Sequence, residues 1–92
     1  MTMQRLLDDL AQRSPAQLAG EQLDELLEAA NLIREENTGV AGPLRVMVLD
    51  GAILVQEQTP QRELLLRTRP SLEEAMEFVD RRLEIYERMW DG

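Results

Sequence analysis

Apolar and polar positions alternate along this chain with two different periods. Met3, Leu6, Leu7 and Leu10 fall at i, i+3, i+4 and i+7, the spacing of an amphipathic helix of about three turns. Ser14-Pro15 closes it, because a proline disfavours helix in the residue before it. The same pair is suited to open the next segment, with Ser14 as N-cap and Pro15 at the first helical position. Gly20 leaves two readings, one helix running through or a short turn at 15–19 followed by a helix from about 21. A mid-helix glycine costs ~1 kcal/mol relative to alanine, which favours the turn. From Glu21 to about Asn37, Leu23, Leu26, Leu27, Ala30 and Ile33 share one helical face. Glu21, Asp24, Glu25, Glu28 and Glu35 share the other, and Gly39 reads as the stop. Residues 1–37 are thus expected to form an antiparallel helical hairpin.

The period then changes to two. Leu44–Leu49 and Ala52–Glu57 flank Asp50-Gly51, a strong signal for a hairpin closed by a type I′ turn. A two-residue loop pairs Leu49 with Ala52, Val48 with Ile53, Met47 with Leu54 and Val46 with Val55. Val46, Val48, Ile53 and Val55 then lie on one face and Met47, Leu49, Ala52 and Leu54 on the other. Two apolar faces need cover on both sides, from the chain's own helices or from a partner. Thr38–Pro43 and Gln58–Arg62 read as loops, and 63–68 as a third strand with a helical extension as the competing reading. The meander spans 44–68.

Pro70 and Ser71 open a helix over 71–90. Ser71-Leu-Glu-Glu74 is a capping box. Leu72, Met76, Val79, Leu83, Tyr86 and Trp90 step by four and three as a core stripe. A second line, Phe78, Ile85 and Met89, widens the apolar arc to about half the circumference, interrupted by Arg82. All three aromatic residues of the chain lie on this helix. The expected fold is a single α+β domain in the order ααβββα, with helices on one sheet face.

Composition narrows the chemistry. The chain has 92 residues, 18 acids against 10 basic residues, and a net charge of −8. Residues 1–37 carry net −5, residues 38–70 net +1 and residues 71–92 net −4. Such a balance repels phosphate backbones, so nucleic acid is not an expected partner. There is no cysteine, histidine or lysine. That removes thiolate and Schiff-base chemistry, the usual general base near neutral pH and the commonest metal ligand. Ser14 and Ser71 are spent as caps, and Thr38, Thr59 and Thr68 have no histidine or lysine to activate them. No apolar run reaches the ~20 residues of a membrane span, and a cytoplasmic protein of bacterial type is expected. Val-Leu-Asp-Gly-Ala-Ile-Leu-Val resembles the opening hairpin of Nudix hydrolases, but the glutamate-rich metal box of that family is missing.

No catalytic, cofactor or metal site is expected, and three functional readings follow. The first is a non-catalytic protein-interaction module (an adaptor, assembly factor or accessory subunit) that forms a homodimer and has room for a second protein partner. Its candidate interface is Phe78, Ile85 and Met89 on the last helix, with Met47, Leu49 and Leu54 on the sheet. The second is an acidic secretion-type chaperone that binds an extended client segment; such proteins are similar in being small, acidic, dimeric and α+β. The third is a carboxylate-based metal-binding protein or enzyme, for Mg²⁺ or Ca²⁺ in the absence of histidine. Arg62, Arg67 and Arg69 form the only basic cluster, suited to an anion or an acidic partner or to ion pairs within the chain.

Overall fold

The structure is a computed structural model that describes residues 3–13, 15–17, 20–39 and 42–91. Its elements run α1 (Met3–Gln12), β1 (Ala16–Gln17), α2 (Gly20–Ala29), β2 (Asn31–Glu36), β3 (Leu44–Leu49), β4 (Ala52–Gln58), β5 (Leu64–Arg69) and α3 (Leu72–Asp91). The strands form one antiparallel sheet in the order β1-β5-β4-β3-β2. The fold is α+β, but the expected order ααβββα does not hold: the chain runs αβαββββα with a five-stranded sheet. The three-stranded meander is extended by a strand on each side.

The central hairpin pairs in the expected register, from Leu49↔Ala52 to Val46↔Val55. Asp50 and Gly51 close it with positive φ, 49° and 83°. Both central positions of a type I′ turn require that region. The third strand is extended rather than helical and pairs β4 antiparallel, from Gln58↔Leu64 to Ile53↔Arg69.

The helical hairpin expected over 1–37 does not form. α2 ends at Ala29, and Asn31–Glu36 leaves the helix to pair with β3 as β2, with a bulge between Leu32 and Arg34. Leu44, Val46, Met47 and Leu49 of β3 are all buried. Without β2, the outer backbone donors and acceptors of that buried strand would lack partners, and ladder bonding outweighs a helix preference of a few tenths of a kcal/mol per residue. Gly39, with φ 83°, turns the chain from β2 into β3 instead of capping a helix. At the other edge, Ala16–Gln17 pairs with Leu66 and Leu65 of β5. The N-cap assigned to Ser14 lies outside the described residues.

Helices cover both sheet faces. Leu6, Leu7 and Leu10 of α1 and Leu26 of α2 pack with Met47, Leu49, Leu54 and Leu66. Ala75, Val79 and Tyr86 of α3 pack on Leu44, Val46 and Val55 of the opposite face. Met47, Leu49 and Leu54, candidates for an interface, are therefore core residues of the chain itself. The buried seam of α3 also runs through Ala75 rather than Leu72, which is exposed. Ser71 Oγ accepts a hydrogen bond from the Glu74 backbone N–H at 3.2 Å, the hydroxyl half of the capping box. Among the described residues no helix is long and apolar enough to cross a membrane.

A Cβ at Gly51 would meet nothing within 4 Å, so the cost of a side chain there is purely conformational. Gly51→Ala is expected to lower unfolding free energy by about 1–2 kcal/mol. Urea titration measures this, and an unchanged midpoint would contradict the turn described.

Candidate functional site

The polar centre of the molecule lies where β4, β5 and α3 meet. Alternation on β4 sends Ile53, Val55 and Glu57 toward α3, so the face that holds two apolar side chains ends in a carboxylate. Glu57 is 1% exposed. On β5 the same alternation aligns Leu65, Arg67 and Arg69. Arg67 lies diagonally across from Glu57, since Glu57 faces Leu65 and Val55 faces Arg67.

Three side chains close around the Glu57 carboxylate. Arg67 Nη1 donates to Oε1 at 2.5 Å. The Tyr86 hydroxyl donates to Oε2, and Arg82 Nε lies 3.5 Å from the same oxygen. Tyr86 and Arg82 come from adjacent turns of α3. No buried side-chain nitrogen or oxygen among the described residues lacks a hydrogen-bond partner. Burial, and next the bond to Glu57, push the Tyr86 phenol up to about 12.

Phe78 stands beside this network. The guanidinium carbons of Arg67, Arg69 and Arg82 lie 4.9, 4.5 and 5.2 Å from its ring centroid. Each is within cation–π range. Arg67 and Arg82 share Glu57, whereas Arg69 donates to the Thr68 carbonyl at 3.0 Å and forms no salt bridge with a described residue. Burial, then the neighbouring Arg67 and Arg82 charges, hold the Arg69 guanidinium below its ordinary value, with Glu74 opposing them. An open cleft lies against this group, lined by Arg69, Pro70, Glu74, Glu77, Phe78 and Arg81.

The structure thus brings together two of the three arginines in the sequence cluster. Arg62 sits with φ 67° in the loop before β5, at the end opposite Arg69, and Arg82 takes its place. Arg67 finds its carboxylate on the neighbouring strand, not on a helix. The line Phe78, Ile85 and Met89 is divided. Phe78 is half-buried among arginines, while Ile85 and Met89 are 42% and 52% exposed. Glu57 was the residue that pattern reading passed over. Two signals pointed to it: the alternation of β4 carried two residues further, and Arg82, a charge on the inner arc of α3 that needed a counter-charge.

Among the described residues no group of three or more acidic side chains is placed to hold a metal ion. Comparison with protein-family models, curated proteins and solved structures finds no match to this chain.

The chain has one tyrosine, so phenolate absorbance reads Tyr86 alone. Its midpoint is expected near pH 12 in the folded protein and near 10 in denaturant. By linkage, a raised folded value means the contribution of this group to stability is complete below about pH 10 and lost as pH rises through 12. A folded-state midpoint near 10 would contradict the buried bond to Glu57.

Proposed function

We propose that this protein is a non-catalytic interaction module that self-associates through the C-terminal half of α3. The observation that carries this reading is the exposure of Ile85 and Met89, one turn apart on a helix whose other large apolar side chains mostly face the sheet. Tyr86, between them in sequence, is buried against the sheet, so Ile85 and Met89 stand on the outward side of the same turns. A second copy offers the same pair of side chains, and an isologous contact around a two-fold axis covers both at once. Residue inventory supports a binding role over catalysis. The chain has no histidine, lysine or cysteine, and its buried carboxylate is already engaged by Arg67 and Tyr86.

One observation favours a second reading, the chaperone-like binding of an extended client segment. β2 is an edge strand, and its Leu32 and Ile33 are 55% and 46% exposed. An extended chain can add to such an edge. The bulge in β2 and its charged Arg34, Glu35 and Glu36 weigh against long pairing there, so self-association through α3 is the preferred reading.

Light scattering on a sizing column across a concentration series tests it. The expected mass is twice the 10.6 kDa of the chain, falling to the monomer for a folded Met89→Glu variant. A monomer at every concentration, or a dimer that survives both Met89→Glu and Ile85→Glu, would overturn the proposal.

A further inference from the structure

Three guanidinium carbons stand within 5.2 Å of the Phe78 ring centroid, and among the described residues the only carboxylate in a salt bridge with these arginines is Glu57. This excess sits in a chain of net charge −8. Arg69 is the group left over. It ends β5 at the cleft of about 310 Å³, and its hydrogen bond goes to a neutral carbonyl. Within the cleft, Arg81 is matched by Glu77 at 3.8 Å, which leaves Arg69 facing Glu74 across the opening without a salt bridge between them.

We infer that this cleft is a binding site for a single carboxylate, the side chain of a glutamate or aspartate in an acidic segment of a partner protein, with Arg69 as the ion-pair donor and Phe78 as the floor. A guanidinium carries five N–H donors, and the one bond from Arg69 Nη1 to the Thr68 carbonyl leaves others to pair with a planar carboxylate. The partner charge would also relieve the repulsion among Arg67, Arg69 and Arg82. Glu74 and Glu77 on the rim offset much of the arginine attraction, so recognition rests on the paired hydrogen bonds a planar carboxylate makes with one guanidinium rather than on ligand charge. The site is independent of the α3 self-association surface.

Calorimetric titration of the full chain with an end-blocked peptide of alternating glutamate and glycine tests this. A glutamine counterpart and inorganic phosphate serve as controls. The expected result is saturable binding of the glutamate peptide, not of the glutamine peptide, with phosphate weaker. Arg69→Gln should weaken the complex about tenfold, the loss of one charge-assisted bond, while its melting temperature stays at or above that of the parent. Glu74→Gln should tighten it. Phosphate binding more strongly than the peptide would overturn the carboxylate assignment. An absence of peptide binding to both the parent and Glu74→Gln, or equal binding by Arg69→Gln, would overturn the site.

Discussion

A carboxylate that is almost fully withdrawn from water constrains this fold more than any apolar contact. Moving an ion such as Glu57 out of water costs several kcal/mol even after relaxation, and only close, correctly aimed partners offset that. Those partners come from two other elements, Arg67 from β5 and Tyr86 and Arg82 from α3. Satisfying one side chain therefore fixes the register of β5 against β4 and the rotation of α3 about its own axis. A helix turned by one residue would move both Tyr86 and Arg82 by about 100°, leaving Arg67 as the one remaining partner of the three. Apolar packing of Ala75 and Val79 alone is less discriminating, because small side chains tolerate sliding.

Two thin cores flank the sheet, one under α1 and α2 and one under α3. Neither is large, as expected when a chain this short must cover two faces. Polar cross-links extend the packing outward. Arg34 of β2 reaches Asp80 of α3 at 2.8 Å and Glu36 at 3.2 Å, and the bond to Asp80 is the chief cause holding it above its ordinary value. Arg45 joins Glu35 of β2 and Gln56 of β4 across the opposite face. These partly exposed pairs contribute little individually. They make β2 a charged edge which, with its bulge, resists further pairing.

Legibility in the sequence followed the range of the signal. Asp50-Gly51 needs a backbone conformation that few residues adopt, so the turn and the register beside it were readable from six residues on either side. The capping serine of α3 was readable for the same local reason. β2 was not. Leu26, Leu27, Ala30 and Ile33 fit a helical stripe, and what turned Asn31–Glu36 into a strand was the unpaired edge of β3, whose partner residues lie 8 to 17 positions further along the chain. The two-residue β1 is too short to carry any periodicity. For the site, Arg67 and Arg69 were visible as a pair because they lie two apart on a strand. Arg82 and Glu57 entered through tertiary placement, and the wide apolar arc of α3 overstated its free surface by including Phe78.

The central claim is that the Glu57 cluster acts as one unit, and a double-mutant cycle on Glu57→Gln and Arg67→Met reads it most directly by urea unfolding at neutral pH. Removing Arg67 alone strands a buried charge and should cost roughly 3–5 kcal/mol. The double variant should cost little more than the worse single change, giving a coupling energy of about 2–3 kcal/mol. Additive losses, with coupling near zero, would contradict the account and leave apolar packing as what holds α3 and β5 in place.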